Sequence, residues 1–456
     1  MGNFSIDDQT FRDLNIFTEQ QGSTSIFNLF KSTNTIGGRD RLREIMLKPS
    51  NDIEEISGRK DAIKYFHDRK VSLEFSNEEL DLIEFYLKLN KVKFRGNLID
   101  SMAEYLSRNS NNDYYIIKTG LRYLIKLVKY ALVFIQEHSS TEVPDYLSRI
   151  FRQIEELVGD SALKWAILLN ENNLKFLMVS RLDRALRVKE KKRIEALLQL
   201  IYELDVFENI AVVARRSGFS FPSYSAADEF TVSLKGLFHP GISKPIQNDV
   251  HFDSDQNMVF LTGSNMAGKS SLLKAIGLVI YLSHLGFPVP ADAMETTIFN
   301  GLITTINLPD DIDHGLSHYY SEVRRVKAVS ETLLGQDRMF VIFDELFRGT
   351  NVKDAFDASK LILSELSHIK NTAFFISTHI VELATELEQY RNISFRCLET
   401  NFEAGKPVFS YLLSPGVSKE RLGMYIVLNE GIVDVIKAAC LKQAERRFQR
   451  FKSFKS

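Results

Sequence analysis

Lys269 and Ser270 end a run whose spacing could bind a phosphate chain. The run Thr262-Gly263-Ser264-Asn265-Met266-Ala267-Gly268-Lys269-Ser270-Ser271 fits G-x-x-x-x-G-K-[ST]. Gly263 and Gly268 would let the backbone N–H groups of Ser264, Asn265, Met266 and Ala267 wrap a phosphate, and a helix N-terminus would add its positive end. Lys269 would reach the β- and γ-phosphates of a nucleotide. The Ser270 hydroxyl would ligate Mg²⁺, and Ser271 completes the loop.

A carboxylate pair follows. Met339-Phe340-Val341-Ile342-Phe343 is a continuous apolar run ending in Asp344-Glu345. Such a run suits a strand buried on both faces of a parallel sheet, whose carboxyl end is where α/β sheets bind ligands. Asp344 would hold Mg²⁺, and Glu345 would orient or deprotonate an attacking water. One strand further on, Phe374-Phe375-Ile376-Ser377 ends at Thr378-His379. An imidazole there could hydrogen-bond the γ-phosphate or the water. Catalytic candidates are therefore Lys269, Glu345 and His379, and metal candidates are Ser270 and Asp344.

These residues need elements to position them. Met258 to Leu261 reads as the strand entering the loop and Leu272 to Leu282 as the helix leaving it. Further strands are expected at Phe230 to Leu234, Leu302 to Ile306, Ala373 to Ser377, Ile393 to Leu398 and Val408 to Leu412, with helix-like segments between several of them. That alternation gives an α/β sheet domain. The earlier part differs. From about residue 37 to 216 the only prolines are Pro49 and Pro144. Apolar residues there recur at helical spacing, as in Leu121-Leu124-Ile125-Val128-Leu132 and Ile194-Leu197-Leu198-Ile201-Leu204. Phe219 to Tyr224 reads as a linker. Basic clusters fall at Arg181 to Arg193 and in the tail Lys442 to Lys455, where Phe448, Phe451 and Phe454 are spaced by three. The tail reads either as a nucleic-acid or partner-binding helix or, as charge runs more often do, as a packed amphipathic helix with a solvated face.

The chain has 456 residues, enough for more than one core, with 44% hydrophobic and 25% charged residues. A net charge of −2 gives no global support for nucleic-acid binding, so such a site would have to be a local patch. Two cysteines, Cys397 and Cys440, suggest neither a disulfide framework nor a zinc cluster. The N-terminus carries no signal-peptide pattern, and no apolar run reaches membrane-spanning length, so a cytoplasmic protein is expected.

The sequence resembles the MutS mismatch-repair ATPase family. TGSNMAGKSS is similar to the family's TGPNMGGKST. Phe343-Asp344-Glu345-Leu346-Phe347-Arg348-Gly349-Thr350-Asn351 is similar to DE-[IL]-GRGTS, and Thr378-His379 with Glu382-Leu383 to TH-x-x-EL. Gly315-Leu316-Ser317-His318-Tyr319-Tyr320-Ser321-Glu322 resembles the signature loop GRSTFM-x-E. Thr33 to Arg43 with Pro49, Ile56, Arg59 and Ala62 resembles the start of the family's helical core. Tyr202 to Ala214 with Phe219 and Pro222 resembles its end. Phe238-His239-Pro240 and Asn248-Asp249 resemble the entry to the ATPase domain, and Ser418, Gly423 and the run to Ala438 the C-terminal dimerisation helices.

The resemblance implies an α + α/β protein. An all-helical core and lever, residues 1–232, would lack the clamp and precede an ABC-type P-loop NTPase domain, residues 233–456. It implies a Mg²⁺-dependent ATPase that forms a homodimer, with Ser317 reaching the γ-phosphate bound by the partner subunit. The family stacks an aromatic on adenine near Pro245; Ile246 stands there and would make only apolar contact. The mismatch-reading and connector domains do not fit ahead of residue 25. Two functional readings follow. One is a DNA-repair or recombination ATPase that binds duplex or branched DNA without mismatch selectivity, with a repair-protein partner. The other is a nucleotide-gated dimeric interaction protein that reads no DNA.

Overall fold

A computed structural model describes residues 4–17, 25–89, 112–139, 142–226, 230–306, 308, 318–403, 406–418 and 427–453. The chain divides into two compact units. One comprises Met1–Ala227, Ser233–Lys235 and Gly277–Leu302; the other comprises Asp228–Val232, Gly236–Ile276 and Ile303–Ser456. The protein mixes helices with a sheet rich in parallel pairs.

The first unit is built on helices Ile36–Met46, Ile53–Arg69, Asn77–Lys88, Asn112–His138, Asp145–Gly159 and Lys191–Ser217. The last of these is central. Every residue from Ile201 to Ala211 on it is buried, polar ones included. The polar groups survive burial because they are bonded. Asp205 accepts from Asn34 N at 2.9 Å, Thr35 N at 3.0 Å and Thr35 Oγ1 at 2.6 Å. Thr35 in turn caps Ile36–Met46 by accepting from Gly38 N at 2.8 Å. Gly37 is needed there: a Cβ would lie 2.3 Å from the Tyr202 ring.

The segment Phe219 to Tyr224 is not the loose linker its proline suggests. Phe219 and Pro222 are buried. Ser220 and Val289 exchange backbone bonds at 3.0 and 2.8 Å, and Ser223–Tyr224 pairs in parallel with Glu295–Thr296. Apolar burial and edge pairing fix the segment despite the missing proline N–H.

Five strands of the second unit lie adjacent in a seven-stranded sheet in the order Met339–Asp344, Ala373–Ser377, Met258–Gly263, Ile393–Glu403, Lys406–Pro415. Met339–Asp344, Ala373–Ser377, Met258–Gly263 and Ile393–Glu403 pair in parallel; Lys406–Pro415 returns antiparallel. The three central strands are buried at every position. On one face Met258, Phe260, Val341, Phe343, Phe374 and Ile376 share a core with residues of helices His318–Gly335, Val352–Leu366 and Leu383–Leu387. On the other, Phe252 meets Phe340 and Phe375 at ring separations of 5.5 and 5.6 Å. Each fully buried aromatic contributes about 1.5–3 kcal/mol, so this core fixes the strand ends rigidly.

The C-terminal helix Ile432–Ser453 forms as its periodicity implies. Ile432, Val433, Val435, Ile436 and Leu441 in its first half are exposed; the side chains of Phe448, Phe451 and Phe454, on which the expected packing rests, lie outside the described residues. Among the described residues no helix is long and apolar enough to cross a membrane.

Candidate functional site

The strand order places three carboxyl ends side by side. Met258–Gly263 delivers the loop, Ala373–Ser377 lies next to it, and Met339–Asp344 lies beyond. The register sets Leu261 beside Ser377 and Ser377 beside Asp344. Lys269, Ser270, Asp344, Glu345 and His379 are thereby brought together.

The loop turns from strand to the helix Lys269–Ser283. Met266, with φ 74°, takes the left-handed bend and is exposed. Gly268 sits at φ 96°, a conformation side chains rarely adopt, and a Cβ there would lie 3.1 Å from the Tyr411 ring. Lys269 is buried and folds across its own loop, donating to Gly263 O at 2.8 Å and Ser264 O at 3.3 Å. Burial pushes its pKa down, while Glu345 and Asp344 push it back up. Ser264 Oγ lies 2.8 Å from Thr400 Oγ1, pinning the loop to the neighbouring strand.

Ser270 Oγ donates to Asp344 Oδ2 at 2.6 Å, and Ser377 Oγ donates to Asp344 Oδ1. A hydroxyl and a carboxylate in contact are hard oxygen donors of the kind Mg²⁺ takes, with phosphate and water completing its shell. No larger cluster of metal-binding side chains occurs among the described residues. Glu345 adopts φ 55°, and its backbone N–H donates to Ser377 O at 2.9 Å. Its carboxylate lies 3.7 Å from His379 Nδ1, 3.4 Å from Arg348 and 3.9 Å from Lys269. His379 contributes most to holding Glu345 below the usual carboxylate range. Burial opposes that shift, and Arg348 and Lys269 add to it. Glu345 is therefore ionised at neutral pH and can accept a hydrogen bond from water.

Beside the loop lies a cavity of about 360 Å³. Its walls include His239, Ile246, Ala267, Gly268, Ser271, Leu272 and Tyr411. Ile246 lines this cavity. The aromatic wall comes from elsewhere, since Tyr411 lies on the antiparallel strand. Leu398 pairs with Leu413 but Thr400 pairs with Phe409, so the Tyr411 strand bulges. Tyr411 has φ 54°, and Asn248 clasps the bulge, donating to Tyr411 O at 3.0 Å and accepting from Leu413 N at 2.7 Å. His239 accepts from Gly241 N at 3.1 Å through Nδ1. Burial, then the Lys274 charge, push its pKa down to about 4, so the ring is neutral.

Sequence reasoning did not single out Tyr411 or Ser377. Ser377 could have been found as the last residue of its strand, facing Asp344. Tyr411 carries no local signal, because a bulge and a strand pairing bring it to the loop. Ser317 lies outside the described residues.

Two family models match the chain: MutS domain III over residues 9–308 and MutS domain V over residues 259–447. Curated relatives named DNA mismatch repair protein MutS include that of Streptococcus suis, 27% identical over 56% of this chain and 30% of the relative. The Lactobacillus acidophilus protein is 26% identical over 73% of this chain and 38% of its own length. That of Lactobacillus helveticus is 29% identical over 59% and 32%. The chain thus spans about a third of the length of the relatives it matches.

Proposed function

The chain belongs to the MutS family, and on that premise we propose that it is an ABC-type P-loop ATPase, Mg²⁺-dependent and dimeric, whose nucleotide cycle is coupled to DNA. The observation that carries this reading is the Ser270–Asp344 contact of 2.6 Å beside Lys269 and Glu345 at adjoining strand ends. Phosphoryl transfer needs positioning and charge stabilisation more than covalent chemistry, and this cluster supplies both.

In this reading the loop amides and Lys269 hold the phosphates. Lys269 now bonds loop carbonyls, so it exchanges those partners for phosphate oxygens. Ser270 and Asp344 hold Mg²⁺, which neutralises phosphate charge when bound. Glu345 orients the attacking water and takes its proton. His379 and Arg348 flank Glu345 and face developing negative charge. Tyr411 and Ile246 enclose the base, leaving the cavity with one aromatic and one aliphatic wall.

The residue divisions 1–232 for a helical core and lever and 233–456 for the ATPase domain belong to this proposal. So does Ser317 as a residue acting across a homodimer. The exposed apolar residues of Ile432–Ser453 support such a dimer, since Val433, Val435, Ile436 and Leu441 are left exposed by the described residues. DNA as the partner is supported by the name that the relatives carry.

Equilibrium titration with ATP tests the site. Lys269→Ala should abolish tight binding, because the charge opposite the phosphates is gone. Wild-type affinity in that variant would sink the assignment. A titration of duplex and branched DNA at several salt concentrations tests the coupling; absence of binding would favour the nucleotide-gated interaction protein.

A further inference from the structure

The sequence presents Arg181 to Arg193 as one basic cluster, and the structure sorts its cations into two sets. The first is internally spent. Arg187 is buried and grips both oxygens of Asp183 at 2.7 Å, with a third bond of 2.8 Å to Leu89 O. Arg193 donates to Asp160 O at 2.6 Å and lies 3.6 Å from Glu190, and Lys191 lies 3.8 Å from Glu195. The second set is Arg181, Arg184, Lys189 and Lys192. All four are exposed and none forms an ion pair among the described residues.

Exposed Leu177, Arg181, Arg184 and Val188 follow steps of three and four through Phe176–Asp183 and Arg184–Lys189. Lys192 follows in the first turn of Lys191–Ser217, beyond the non-helical Glu190. Arg184–Lys189 is a π-helical turn, marked by the bond from Glu190 N to Ala185 O at 3.2 Å. Arg187 anchors this turn through its bonds to Asp183 and Leu89.

We propose that Arg181, Arg184, Lys189 and Lys192 form a docking stripe for the phosphate backbone of a nucleic acid. The inference rests on the DNA reading above and gives it a surface. The four cations fall within Arg181–Lys192, close enough in sequence to meet neighbouring phosphates of one backbone. Arginine forks suit phosphate oxygens bidentately. The charge is local, which reconciles it with a chain whose net charge is −2.

The test uses the full chain and a fluorescently labelled duplex and a branched DNA, titrated across a series of KCl concentrations. The variant R181A/R184A/K189A/K192A should flatten the plot of log affinity against log salt by about 0.9 for each phosphate no longer neutralised, about 2–4 in all. R184A/K189A should give roughly half that change, which keeps the test open if the quadruple variant folds poorly. K191A/R193A removes cations that are already paired and should leave the slope alone. ATP hydrolysis without DNA should be equal in all of them. If wild type binds DNA and R184A/K189A keeps its slope, the stripe is wrong and the DNA reading stands. If wild type binds no nucleic acid, both fall. Stripe-dependent binding of polyglutamate without any binding of DNA would overturn the proposal in favour of an acidic protein partner.

Discussion

Glu322 and Gly349 are joined directly: Glu322 Oε2 accepts the Gly349 backbone N–H at 3.2 Å, while its Oε1 accepts that of Arg348 at 3.2 Å. Glu322 is buried on helix His318–Gly335, which begins just after the signature-like loop. The turn it holds is unusual, with Glu345 at φ 55° and Phe347 at φ 62°. Left-handed conformations in such residues cost on the order of 1–3 kcal/mol each and persist only when neighbours enforce them.

Glu322→Gln should therefore loosen the turn that aims Glu345. The amide replaces one acceptor oxygen with a donor that faces a backbone N–H. Hydrogen bonds to charged groups contribute about 1.5–3 kcal/mol, so a fall in kcat of about 10- to 100-fold is expected. KM for ATP should barely move, since the phosphate loop is untouched. Steady-state kinetics decide; a raised KM at unchanged kcat would assign Glu322 to binding instead.

Much of this site could be read from the chain. The loop, the Asp344-Glu345 pair and His379 each end a continuous apolar run, and such runs became fully buried parallel strands. What could not be read depends on tertiary pairing. Tyr411 meets Gly268 only because its strand bulges and Asn248 clasps it. Pro222 signalled a linker, but the burial of its neighbour Phe219 and a strand pair overrode it. The basic cluster at Arg181 hid a division that only ion-pair geometry reveals.

Glu345→Gln should separate binding from chemistry. It keeps the shape of the side chain and leaves Ser270 and Asp344 in contact, so Mg²⁺-ATP should bind with near wild-type affinity. The carboxylate that accepts the water's proton is lost, and general-base loss costs typically about 10²–10⁴-fold. Single-turnover hydrolysis checks this. A rate equal to wild type would mean that another group activates the water.

Tyr411→Ala should weaken ATP binding by removing the aromatic wall of the 360 Å³ cavity. Base–aromatic stacking contributes about 1–3 kcal/mol, which corresponds to roughly 5- to 150-fold in Kd. Tyr411→Phe should bind as wild type does, because the ring and not the hydroxyl forms the wall. Inorganic triphosphate, which lacks a base, should bind the Ala variant and wild type equally. A matched loss for triphosphate would show that the substitution had disturbed the phosphate loop.

The last prediction concerns pH and the other unit. His284 is fully buried, with Nδ1 donating to Ile280 O at 2.7 Å and Nε2 accepting from Phe299 N at 3.0 Å. Both ring nitrogens are used by the neutral form, and burial pushes the pKa down from 6.5 to about 4. The unfolded chain therefore binds a proton at this residue where the folded chain does not. Stability is whole above pH 6.5 and declines as pH falls toward 4, where the folded ring also begins to protonate. At pH 5 the loss from this residue is roughly 2 kcal/mol, from about 1.36 kcal/mol for each pKa unit. Denaturant unfolding at pH 7 and pH 5 measures it. His284→Asn can still donate and accept but cannot titrate, so whatever its stability at pH 7, its loss between the two pH values should be smaller by about that amount. An equal loss in the variant would show that His284 is not the titrating group and that acid sensitivity resides elsewhere, for instance at His239, whose pKa is also pushed down to about 4.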